Sequence, residues 1–326
     1  MPSFTDRESG MAKVRRLLER TGFFVFDLHH FRPTPFDLIA RRDSTLLLVK
    51  VLKNVDALGP QDARLLRMLG EELGAVPLVV GRSTGTQALD DTVLYSRHGV
   101  GILSLGGLED YLVEGVPPFL FSSPGGKFIR VDGPALRRAR LEHNLSLGAM
   151  AEIAGVSRRT IQLYEQGGGA EAEVVRRLEE ALSATLAAPL EPFDVEVRLR
   201  SPEEGEGRGE RGPGPFPPEV LHELGESGWE VTVTVRTPFD ALAREERPRG
   251  RDVVILGTGS LDQLGRRSRL LLEISRVAEG LSVFLVPDRG SRTDVEGVPV
   301  VSFPELRRHS DPDALRELLR ERLRRR

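Results

Sequence analysis

The apolar positions of the first hundred residues fall into two rhythms, one of helical spacing and one of short continuous runs. Met11, Val14, Leu17 and Leu18 recur at helical spacing and stop at Gly22, which predicts an amphipathic helix over 11–21. Phe23-Phe24-Val25-Phe26 reads as a strand. After a turn at Pro33-Thr34-Pro35, Phe36 to Ala40 and Thr45 to Leu52 read as the two strands of a hairpin. Gln61 to Leu73 returns to helical spacing through Leu65, Leu66, Leu69 and Leu73, and Val76 to Val80 and Val100 to Ser104 are runs fit for buried strands. That order of elements predicts an α/β sandwich.

From Pro134 the pattern is helical throughout. Ser146 can cap a helix whose inward side is Leu147, Met150, Ala151 and Ala154. Gly155 permits the left-handed backbone of a sharp corner, and Val156 fills the gap between two helices. Ser157 caps the second helix, Ile161 and Tyr164 face inward, and Gly167 ends it. Arg158, Arg159 and Gln162 are left on the outer face near the helix N-terminus, where a helix-turn-helix meets the major groove. The corner Ala154-Gly155-Val156-Ser157, the Thr160-Ile161 pair and the closing Tyr164-Glu165-Gln166-Gly167 resemble the helix-turn-helix of the Cro/repressor (XRE-type) family. Flanking helices at Pro134 to Arg140 and Val174 to Leu182 complete the small bundle of that family; Leu147 and Gly148 stand where it often carries a polar pair.

The order of elements before this region, with Asp37 on one strand and lysines on the next, is similar to the PD-(D/E)xK nuclease core and in particular to archaeal Holliday-junction resolvases. The resemblance implies an Asp and a Glu, the latter one residue away from a Lys, around a divalent metal. Asp37 fills the Asp position, Lys53 the Lys position, and Val51 stands where the Glu belongs. Valine cannot ligate a hard cation, Lys50 is itself a cation and Asp56 lies beyond the strand, so the site is expected to be vestigial.

Residues 221–308 repeat 17–110 in order. Thr34-Pro35-Phe36-Asp37-Leu38-Ile39-Ala40-Arg41 corresponds to Thr237-Pro238-Phe239-Asp240-Ala241-Leu242-Ala243-Arg244, and Gly22-Phe23 to Gly228-Trp229. The strand from Leu46 matches Asp252 to Leu256, and later elements follow in register. The second copy keeps Asp240 but has Gly257-Thr258-Gly259 after its strand, with neither Glu nor Lys. Two copies that keep the fold and lose the acidic ligand point to scaffolds.

Composition narrows the classes. The 326 residues include no Cys, which removes disulfides, thiolate metal sites and cysteine nucleophiles and fits an intracellular protein. No apolar run reaches membrane-spanning length and Met1 to Asp6 carries no signal-peptide pattern, so a cytoplasmic place and no membrane contact are expected. Net charge is −3, yet 127–166 holds seven Lys/Arg (127, 130, 137, 138, 140, 158, 159) against four Asp/Glu (132, 142, 152, 165). A positive island on a slightly acidic chain suits a site-specific binder better than a general coat. The preference for Arg over Lys and the scarcity of Asn, Gln and Met fit a thermophile or a high-GC genome. Gly81 to Gly85 and Gly257 to Ser260 lack the ending of a nucleotide loop, and His29-His30 has no third ligand at metal spacing.

The expected organisation is α/β plus all-α, with two restriction-endonuclease/resolvase-like α/β domains flanking a helical Cro/repressor-type domain. Their expected bounds are 1–115 and 219–326 for the α/β domains, 127–193 for the helix-turn-helix and 194–218 for a Gly/Pro/Glu/Arg-rich linker, with a joint at 114–127. As a whole the chain resembles the archaeal HTH-type transcriptional regulator family. That resemblance implies sequence-specific binding of double-stranded DNA, as a homodimer reading two half-sites, without a cofactor, a metal or enzymatic activity. Ser157, Arg158, Arg159 and Gln162 are the expected base readers; Lys127, Arg130, Arg137, Arg138 and Arg140 are the expected phosphate contacts. Two rivals stay open: a structure-selective nuclease targeted by the helix-turn-helix, and a coactivator-like bridging protein that touches the basal transcription machinery.

Overall fold

The computed structural model describes the chain except for residues 1–3, 5, 29, 30, 32, 33, 124, 194–214, 246–252, 325 and 326. Most of the expected linker, the His29-His30 pair, Pro33 and Asp252 lie outside the described residues. The first α/β stretch runs α1 (Arg7–Arg20), β1 (Phe24–Asp27), β2 (Leu38–Arg42), β3 (Thr45–Asn54), α2 (Pro60–Leu73), β4 (Val76–Thr84), β5 (Gln87–Ala88), β6 (Val93–Arg97), β7 (Val100–Ser104) and α3 (Leu105–Glu109). Then come β8 (Leu120–Ser123), β9 (Gly126–Arg130), α4 (Gly133–Glu142), α5 (Leu147–Ala154), α6 (Arg158–Glu165), β10 (Gly169–Ala170) and α7 (Ala172–Leu182). The second α/β stretch runs α8 (Pro218–Glu226), β11 (Trp229–Val233), β12 (Ala241–Glu245), β13 (Val254–Gly257), α9 (Leu261–Ala278), β14 (Leu281–Val286), β15 (Asp294–Val295), β16 (Val298–Ser302), α10 (Phe303–Leu306) and α11 (Pro312–Arg324). Two compact units result, one of residues 1–14, 51–59 and 78–198, the other of 15–50, 60–77 and 199–326, so the first α/β stretch contributes to both.

In the unit that carries the helical domain, β4 pairs in parallel with β7 and antiparallel with β5, while β6 folds back on β7 through the turn His98-Gly99, both at positive φ. β8 then joins β6 in parallel, β9 pairs with β8 and β10 with β9. Within the stretch read from sequence as a loose joint, residues 120–123 and 126–127 are therefore hydrogen-bonded ladder. At the far end of the same domain the Tyr111 hydroxyl donates to Glu191 Oε2 at 3.0 Å, and its ring meets Phe193 edge-on with centroids 5.1 Å apart. Strand pairing of this kind orders backbone that a Gly/Pro-rich composition alone would leave open, because each amide gains a partner.

The second unit holds the antiparallel strands β1, β2 and β3 together with the six-stranded sheet β11-β12-β13-β14-β16-β15. Both copies share a register: Leu38 faces Val49 on β2 and β3, and Ala241 faces Leu256 on β12 and β13. Gly22 and Gly228 turn the chain with φ of +88° and +91°, and the turn His98-Gly99 recurs as Glu296-Gly297. Within this unit α9 packs on β1 and β2, with the Arg276 guanidinium 5.1 Å from the centre of the Phe24 ring and Arg41 paired to Glu279. In the reciprocal sense, Arg244 lies 3.6 Å from Glu72 of α2, Thr232 donates to the same Glu72 at 2.8 Å and Arg236 pairs with Asp62 at 2.7 Å. Arg41 and Arg244 occupy one register position, so the copies hold each other as the two halves of an isologous interface do.

Candidate nucleic-acid interface

The helical domain is built from short helices that would not persist alone, and each end is fastened by a specific group. Ser146 Oγ accepts from the Ala149 amide and Ser157 Oγ from the Thr160 amide, each at 3.1 Å, capping α5 and α6. Between them Gly155 takes a left-handed conformation at φ +71°, and the Val156 amide donates to the Ala151 carbonyl at 3.0 Å, closing the corner. A Cβ on Gly155 would stand 2.8 Å from the Arg177 guanidinium, which covers the turn. Met150, Ala151, Ala154, Ile161 and Tyr164 then join Leu136, Ala139, Val174, Val175, Leu178 and Leu182 in one core.

That core fixes what faces outward. Arg158, Arg159, Gln162 and Leu163 are all exposed on α6, and Arg137 and Arg138 are exposed on α4. Among the described residues, none of these four arginines is held in an ion pair. Arg158 leans over the start of α5, where the missing side chain of Gly148 leaves it room; a Cβ there would meet its Nε at 3.1 Å. Two of the expected phosphate contacts have internal partners. Arg140 donates to both oxygens of Glu165 (2.6 and 3.3 Å) and to the Leu145 carbonyl, pinning α4 to α6. Lys127 donates to Asp90 at 2.8 Å, and that bond, with two more from Thr92, holds the Asp90 carboxyl at about 2. Arg130 is half-buried, its backbone bound into β9 and β10. The exposed Ser157 hydroxyl accepts from the Thr160 amide as the cap and lies 2.8 Å from the Thr160 hydroxyl. Sequence reasoning missed the Arg140–Glu165 pair, whose partners lie 25 positions apart, and it left Leu163 unassigned.

The nuclease-like positions also change on inspection. Asp37 is fully buried, and the lysine beside it is Lys50, with Nζ 3.7 Å from Oδ1 and donating to the Thr34 carbonyl at 2.9 Å. Lys53, expected to hold the lysine position, is exposed and lies on the opposite face of β3 from Lys50, because side chains alternate along a strand. The acid position is apolar under either reading, since Val51 and Leu48 (two residues before Lys50) are both fully buried. In the second copy Gly257 occupies the position of Lys50, and a cation arrives from another element: Arg267 of α9 lies 2.9 Å from Asp240 Oδ2 and donates to the Pro238 carbonyl. The Thr258 amide donates to the same carboxylate at 2.7 Å. The shared Thr-Pro-Phe-Asp motif has a structural cause, because Thr34 and Thr237 donate to the carbonyls of Phe36 and Phe239, whose rings are buried. A divalent ion needs several converging oxygen ligands. A lone carboxylate already facing Lys50 or Arg267 does not fit one, and among the described residues no group of three His, Cys, Asp or Glu could hold a metal.

Fold and interface together define a helix-turn-helix protein carried on nuclease-type α/β scaffolding. The chain matches the PD-(D/E)XK superfamily domain over residues 7–118 and the helix-turn-helix family over 136–187. Three relatives bear the provisional name HTH-type transcriptional regulatory protein. That of Halorubrum lacusprofundi is 35% identical over 97% of both chains, that of Haloquadratum walsbyi 36% over 97% of both, and that of Methanosarcina mazei 35% over 94% of both. No solved structure matches the chain. The chain belongs to this family of archaeal HTH-type transcriptional regulatory proteins.

Proposed function

We propose that the chain regulates transcription by binding double-stranded DNA sequence-specifically, with α6 in the major groove and no enzymatic step of its own. The observation that carries this reading is the outer face of α6, where Arg158, Arg159 and Gln162 stand exposed while Ile161 and Tyr164 anchor the helix. Arginine matches guanine O6 and N7, and glutamine matches adenine N6 and N7. Arg137 and Arg138, with Arg130 in a lesser part, supply phosphate contacts that set position and salt dependence. The proposed domain bounds are 1–115, 127–193 and 219–326. The working form is a homodimer that spans two half-sites about one helical turn apart. No helix among the described residues is long and apolar enough to cross a membrane, and the cytoplasm is the proposed location.

Selection from a random duplex pool, followed by mobility-shift titration, tests the reading. An operator should emerge, and R158A/R159A should reduce its preference over random duplex by at least tenfold while the thermal melt is unchanged. Unchanged specific binding in that variant would overturn the assignment of α6. Labelled duplex and four-way junction incubated with magnesium or manganese should stay intact, and any cleavage lost in D37A would overturn the non-enzymatic part. A pull-down of basal transcription factors that persists without DNA would favour a bridging role instead.

A further inference from the structure

The interior of the helical domain does not need Leu163. Ile161 and Tyr164 fill the inward side of α6 at 0% and 7% exposure, whereas Leu163 is 51% exposed. At 100° per residue the outer arc runs Arg158, Gln162, Arg159, Leu163, which sets the leucine beside Arg159 and outside the hydrophobic core. A single half-exposed leucine is common on a protein surface, and what sets this one apart is its place beside Arg159 on the outer arc. On a face otherwise composed of base-matching polar groups, it suits an apolar feature of the same ligand. In the major groove that feature is the C5 methyl of thymine, the one apolar group that a base pair presents there.

We propose that Leu163 is a specificity-determining residue, reading a thymine methyl next to the base contacted by Arg159. The inference rests on the proposed reading of α6 as the recognition helix. The leucine touches neither phosphate nor the polar base edge, so it adds discrimination without adding to the salt dependence. Its backbone already serves a separate purpose, the Leu163 carbonyl accepting from the Gln166 and Gly168 amides at 3.1 and 2.9 Å to close the helix. Side-chain replacement leaves that closure untouched.

The test uses the full chain and the operator obtained by selection. Each thymine in turn is replaced by deoxyuridine, which removes the methyl and leaves pairing and the O4 acceptor unchanged. For the native chain, one thymine per bound half-site should weaken binding on the order of three- to fivefold when demethylated, the scale of one buried methyl group. L163A should bind the all-thymine operator more weakly by a similar factor and should be indifferent to uracil at that one position. Its slope of log affinity against log salt should equal the native slope. L163M, which keeps an apolar side chain of similar volume, should retain the uracil sensitivity. If L163A keeps the same uracil-sensitive position, or no position is sensitive in the native chain, the leucine assignment fails while Arg158 and Arg159 can still read the operator. If selection yields no operator at all, both the leucine assignment and the reading of α6 fail.

Discussion

Arg140 and Arg138 lie two positions apart on α4 and face different surroundings. Arg140 is about seven-eighths buried and paired with Glu165, which is buried to the same degree. Arg138 is exposed. Removing one partner of a buried pair strands the other charge, which typically costs 3–5 kcal/mol. We expect R140A to lower the thermal midpoint of the helical domain by several degrees, a loss visible in a calorimetric scan with no DNA present. R138A should leave that scan unchanged and reduce the slope of log affinity against log salt by about one, since one phosphate partner is gone. Neither arginine can be told from the other in the sequence. Both sit on a basic helix face, and only the fold brings Glu165 to one of them.

At the scale of elements, the turn between α5 and α6 is the part of the site most legible in the chain. Ser146, Gly155 and Ser157 each act through local backbone, so their spacing alone discloses them. S157A should destabilise the domain by about 1 kcal/mol, the usual worth of a cap, and should shift α6 enough to weaken operator binding beyond that loss. Circular-dichroism melts paired with titrations would separate the two effects, and an unchanged melt would argue against the cap. The strands around the helical domain were not legible. β10 is two residues long and β8 four, too short for a period-two pattern to show, and their pairing with β9 and β6 is non-local. The same limit hid which lysine stands beside Asp37. The run Leu46 to Val51 is buried on both faces, so no alternation distinguished Lys50 from Lys53.

At the scale of the whole molecule, the ladder from β6 through β8 to β9 couples the helical domain to its α/β neighbour, and Lys127–Asp90 is a charged tie beside it that responds to pH. Asp90 titrates near 2 in the folded chain, below the ordinary aspartate value, chiefly because Lys127 donates to it. A depressed carboxyl stabilises the fold above its ordinary pKa, and that contribution fades as pH falls from about 4 to about 2. D90N should therefore melt lower than the native chain at pH 5, and the gap should close by pH 2. A gap that stays constant across this range would mean that Asp90 acts through packing and not through charge. Both groups are well exposed, so the effect is small and screened by salt. In the other unit, the reciprocal contacts of Arg41 and Arg244 engage the same face of each α/β copy inside one chain.

The repeated Thr-Pro-Phe-Asp turn, the two α/β stretches, the capped helix pair and the loss of the acidic ligand were all written in the linear chain, because each is a matter of residue type at fixed short spacing. Which cations meet solvent and which are neutralised was decided only by tertiary structure. Asp90, Glu165, Asp37 and Asp240 reach Lys127, Arg140, Lys50 and Arg267 across 13 to 37 positions, and charge pairing depends on distance in space, which a linear pattern does not record.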